Sequence, residues 1–156
     1  MADGVFNIAK GRVAELHERV NNSDPTNAAL VVVLLASAGI GSDALLKDCA
    51  TLAAVSIVAD EATNTNYARK VLTDADISAI ATDNTNDWNT ADFADQTWSA
   101  VANDGTGAIG KLIVCYDSDS TGGADSAIIP LTYHDFVVTP NGGSITATVN
   151  DYFKAS

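Results

Sequence analysis

The residues of this chain that can do chemistry are few, and most of them stand between Lys111 and Pro140. Asp117-Ser118-Asp119-Ser120-Thr121-Gly122 puts oxygens at positions one, three and five and glycine at six, as in the first half of a calcium loop. The twelfth position, which should bring a bidentate Glu, is Ile128, and no helix is expected before the loop. Asp and Gly are also what a turn between strands requires, so a turn is expected here and a metal is not. Tyr133-His134-Asp135 places an imidazole beside a carboxylate. Neighbours on a strand point to opposite faces, so His134 and Asp135 are not expected to act as a pair. The other histidine, His17, falls in the N-terminal helical pattern, and the chain has no G-x-S-x-G elbow.

Cys115 lies between Val114 and Tyr116 in an apolar run, where burial raises a thiol pKa and makes it inert. With Cys49 it makes a pair of thiols expected to be free and buried. Gly39-Ile40-Gly41 is only a fragment of a dinucleotide loop, and no phosphate-binding G-x-x-x-x-G-K-[ST] is present. The many Asp carboxylates could supply a glycosidase pair in principle, but spacing does not single one out, and a solvated acidic face is expected instead. Trp88, set among polar residues, is the best candidate for stacking on a sugar, and anchoring an interface would use the same feature. The reading therefore assigns no catalytic, cofactor-binding or metal-ligating residue and expects no enzymatic activity.

The net charge of −12, from twenty acids against eight bases, disfavours nucleic acid and anionic membranes as partners. Basic protein surfaces and cations suit it better. The opening MADGVFNIAKGR lacks the basic-then-apolar order of a secretory signal. The longest apolar run, Ala28–Ile40, falls short of the roughly 20 residues a bilayer span needs.

The elements that must position these groups follow from periodicity. Phe6, Ala9, Val13, Leu16 and Val20 recur at helical spacing and predict an amphipathic helix from Asp3, its N-cap, to about Val20. That helix either packs on its own domain or serves as an arm docked on a neighbouring subunit. Ala28–Ala36 reads as a strand buried on both faces. Asp43 caps a second, short helix through Leu52 that reaches toward Val58. Tyr67–Leu72, Phe93–Val101, Ile109–Tyr116, Ala127–Tyr133, Phe136–Thr139 and Ser144–Val149 read as extended. Thr73–Asp76 makes a turn or helical corner, and Ala81–Asn89 is expected to be irregular. Pro130 marks an edge or a bulge. Pro140-Asn141-Gly142-Gly143 signals a hairpin between its flanking strands. Tyr152 and Phe153 are expected to return to the core. The order gives an α+β fold: an N-terminal amphipathic helix, then a mainly antiparallel β-sandwich or small barrel with a short additional helix. A helical arm over 1–24 and a β-rich globular domain over 25–156 are expected to act as one cooperative domain.

Five segments carry a family likeness: NIAKGRVAELHERV, ALVVVLLASAGI, RKVLTDADI, FADQTW and KLIVCYDSDSTGGADSAIIPLTYHDF. In this order they resemble small virion structural proteins of tailed bacteriophages, many of actinobacterial hosts. The likeness runs through most of the chain and is densest at Asp95–Trp98 and Lys111–Phe136. It implies a non-enzymatic part of the particle, made in the host cytoplasm and placed on the capsid exterior as a decoration protein over the major capsid protein. By analogy it also implies a homo-oligomer, a trimer. A tail or baseplate component, or a surface carbohydrate-binding module using Trp88, is the alternative.

Overall fold

The computed structural model describes residues 3–156. Its strands are β1 (Gly4–Val5), β2 (Ala29–Ala36), β3 (Lys70–Leu72), β4 (Ala81–Asp83), β5 (Trp88–Ala91), β6 (Gln96–Trp98), β7 (Ile109–Asp117), β8 (Ile129–Val138), β9 (Ile145–Ala147) and β10 (Phe153–Ala155). Its helices are α1 (Val13–Asn21), α2 (Asp43–Lys47) and α3 (Leu52–Val58), with 3-10 turns at Asn7–Ala9 and Asp74–Asp76. The fold is mixed α+β, and its strand pairings are antiparallel. A five-stranded sheet in the order β1-β8-β7-β2-β3 is accompanied by a three-stranded sheet, β10-β5-β4, and a two-stranded one, β6-β9.

An antiparallel sheet with one wet face alternates apolar and polar residues along each strand. β2 and β7 do not alternate, and every residue of both is buried. The reason is that both faces of the main sheet are covered. On one face Lys111 reaches Asp43 of α2, and the Leu52 amide at the start of α3 donates to the Ile128 carbonyl at 2.9 Å. On the other, Leu112 and Phe93 line a common cleft, and Phe93 lies 5.1 Å, ring to ring, from Tyr152. Tyr152 in turn holds His17 of α1. The expected return of Tyr152 to the core is present, with Phe153 packed partly against it.

Several local expectations are corrected. The helix expected from Asp3 begins only at Val13, because Gly4 and Val5 pair with Tyr133 and Thr132 and Gly11 turns the chain at φ 77°. A positive φ of that size suits glycine and breaks a helical path. Asp3 is no N-cap; its carboxylate accepts the Asp135 N–H at 3.0 Å. The apolar seam was legible all the same. Phe6, Ala9, Val13, Leu16 and Val20 are buried within this chain's own core. The helix expected from Asp43 onward is two helices, each with its own cap. The Ser42 hydroxyl accepts the Leu45 N–H, and the Thr51 hydroxyl accepts the Ala54 N–H.

Further along, β8 is one strand where two were expected, since His134 and Asp135 continue the ladder opposite Leu112 and Lys111. Pro130 stands opposite Cys115 where the register slips after Val114, which is the bulge its missing N–H called for. The hairpin expected at Pro140–Gly143 does not form. β9 pairs with β6, and the loop is tied to Val101 by two backbone bonds of 2.8 and 3.0 Å. Ala81–Asn89, expected to be irregular, forms the β4–β5 hairpin. Its turn is held by the Asp83 carboxylate, which accepts the N–H groups of Thr85 and Asn86.

Candidate functional site

The acidic loop after β7 is built as a chain of side-chain turns. Asp117 Oδ1 accepts the Asp119 N–H at 3.0 Å, and Asp119 Oδ1 accepts both the N–H and the hydroxyl of Thr121 at 3.2 and 2.6 Å. The amide of Asn27, from the segment leading into β2, adds a further bond to Asp119. Hydrogen bonding by Thr121, first through its hydroxyl and then its backbone, holds the Asp119 carboxyl below the usual carboxylate range. Ile128, in the twelfth position, is buried in the core. Among the described residues no group of three His, Cys, Asp or Glu side chains converges to hold a metal ion.

His134 and Asp135 diverge to opposite faces of β8. The His134 Nε2 lies 2.9 Å from the Thr132 hydroxyl and its Nδ1 3.4 Å from the Asp3 carboxylate. Asp135 accepts from Lys111 Nζ at 2.7 Å. His17 is buried in the core. Its Nε2 is 2.6 Å from the Ser78 carbonyl and its Nδ1 2.9 Å from the Tyr152 hydroxyl. Both ring nitrogens thus have a hydrogen-bonding partner inside the core. Burial pushes the Tyr152 hydroxyl well above its ordinary pKa, which keeps it a donor.

Cys115 is fully buried, and burial pushes its thiol far up; Cys49 is shifted the same way by the same cause. The two are unpaired. Trp88 is half-buried, and the Lys154 ammonium sits over its ring. That leaves less of the ring for a sugar to stack on than the sequence suggested.

Two clusters escaped the sequence reading. Arg69 binds Glu61 through Nε and Nη2, and Asp125 through Nη1 and Nη2, with contacts of 2.7–3.1 Å. The Tyr67 hydroxyl donates to Glu61 and accepts the Leu34 N–H, which ties the cluster to β2. Nothing in local spacing brings residues 61, 69 and 125 together. The second cluster is Lys111 with Asp135 and Asp43. Its signal was visible, because Lys111 is the one cation in a strand that is otherwise apolar up to Tyr116.

A cleft of about 270 Å³ opens between β8 and the segment 147–152. Phe93, Leu112 and Tyr152 supply its apolar lining, and Asp3, His134 and Asp151 its polar lining. No described helix is long and apolar enough to cross a membrane. Compared with protein-family models, with curated proteins and with solved structures, the chain finds no match.

Proposed function

We propose that this chain is a structural protein of a bacteriophage particle, a decoration protein that binds and stabilises the major capsid lattice. The observation that carries the reading is the family likeness, whose densest stretch, 111–136, contains most of β7, the acidic loop and most of β8. The disposition of charge supports it. Of the eight basic residues, Arg12, Arg19, Arg69 and Lys111 are engaged by carboxylates of this chain, and Lys70 and Lys154 lie over tryptophan rings. The acids that remain at the surface suit a basic face on the shell. Bridging neighbouring capsid subunits adds many modest contacts into shell stability. Cyclic self-association as a trimer belongs to the same proposal.

The test is co-sedimentation of the purified protein with undecorated capsids. Binding to assembled shells, weakened by salt, with little affinity for free capsid monomer, is expected. Failure to bind such shells, together with equal stability of virions lacking the protein, overturns the reading.

A further inference from the structure

Among the described residues Lys111 is the cation whose side chain is wholly buried, and it faces two carboxylates rather than one. Its Nζ lies 2.7 Å from Asp135 Oδ1, 3.1 Å from Asp43 Oδ1 and 5.3 Å from the centre of the Tyr133 ring. Lys111 and Asp135 are directly opposed in the β7–β8 ladder, and Leu35 of β2 is the neighbour of Lys111 on the other side. Phe6 meets the Tyr133 ring edge to face, so the surroundings are apolar. Asp43 Oδ1 is buried, and the Lys111 ammonium at 3.1 Å is the charge that faces it.

We propose that Lys111 and Asp135 condense into an intramolecular amide, with Asp43 as the proton relay. Asp43 takes one proton from the ammonium and passes it to the Asp135 carboxylate, so that a neutral amine faces a neutral carboxyl. The lone pair of Nζ attacks Cγ of Asp135, Asp43 takes a second proton from Nζ, and the tetrahedral carbon expels its hydroxyl, which leaves with that proton as water. The third proton stays on the amide. Asp43 ends as it began, and no oxidant or cofactor takes part. Fixed neighbours at contact distance supply the proximity such a step needs. Burial works against the Lys111 ammonium, but Asp135 and Asp43 more than restore it, so the ion pair is the resting form and the amide forms slowly from the minor neutral one. The inference is independent of any placement on a capsid.

Intact-mass spectrometry of the purified, aged chain tests it. The expected mass is lower by one water than that of the polypeptide, and digestion should yield a branched peptide joining residues 111 and 135. The Lys111→Met and Asp43→Ala variants should both show the full mass. A wild-type chain that keeps its full mass after prolonged incubation at neutral pH overturns the proposal, and this readout needs no variant to fold. A branched peptide joining residue 111 to residue 43 overturns the choice of Asp135, and loss of water in Asp43→Ala overturns the relay.

Discussion

Replacing Arg69 by methionine tests how the loop between α3 and β3 is held to the loop before β8. The substitution keeps most of the stem and removes the guanidinium that binds Glu61 and Asp125 at 2.7–3.1 Å. A fully buried pair broken on one side costs about 3–5 kcal/mol, while an exposed pair is worth about 0–1 kcal/mol. The three side chains are 26–37% exposed, between those limits. The contacts are well formed but partly screened, which places the expected loss near 2 kcal/mol at pH 7. With a urea dependence of about 2 kcal/mol per molar, the unfolding midpoint should fall by about 1 M. The effect should depend on pH. Hydrogen bonding by Arg69 is the main cause that holds the Asp125 carboxyl below its ordinary value. A carboxyl lowered in this way stabilises the fold above its unfolded pKa, about 3.9, and the contribution fades as pH falls through the lower folded value. The gap between wild type and variant should therefore narrow below about pH 4. A loss under about 0.5 kcal/mol at pH 7, or a gap that persists undiminished at about pH 2, refutes the reasoning.

Asn64 is buried, and its amide nitrogen lies 2.9 Å from the carbonyls of Ala102, Asp104 and Gly107. Asn64→Ala should cost about 2 kcal/mol in urea unfolding, and Asn64→Asp more, since it turns a carboxylate toward three carbonyl oxygens. Ala100 is exposed at φ 54°, a strain of about 1 kcal/mol for a residue with a Cβ. Ala100→Gly should raise stability by about 0.5 kcal/mol after the added freedom of the unfolded chain is counted, a gain of about 1–2 °C in Tm. The thiols of Cys49 and Cys115 should resist a disulfide reagent in native buffer and react in denaturant. Labelling of Cys115 should track global unfolding, and rapid native labelling would contradict its burial.

What the sequence disclosed and what it hid divide by range. The seam from Phe6 to Val20 was legible because burial leaves a helical period, and β2 because burial on both faces leaves an unbroken apolar run. The break in the first helix was not, because Gly4 and Val5 take their conformation from Tyr133 and Thr132. Asn141-Gly142 announced a turn correctly but not which strands it joins, since β9 finds its partner in β6. For the candidate chemistry, strand alternation was enough to separate His134 from Asp135. The Arg69 cluster needed the third dimension, and so did the second carboxylate at Lys111.

The interior place of β2 in the sheet, between β7 and β3, bears on how the chain is made. Its first sheet partner, β3, is three residues long, and its full-length partner, β7, begins at Ile109. At synthesis rates of about 5–20 residues per second, β2 waits roughly 4–16 s before that strand has been polymerised. For that time Ala-Leu-Val-Val-Val-Leu-Leu-Ala is a charge-free segment rich in β-branched residues whose β7 edge is open along its whole length, the kind of sequence that pairs readily with copies of itself. Nascent chains on one crowded message would then compete with the native pairing. Production of this protein should be more sensitive to expression rate and to chaperone supply than its finished, acidic surface suggests.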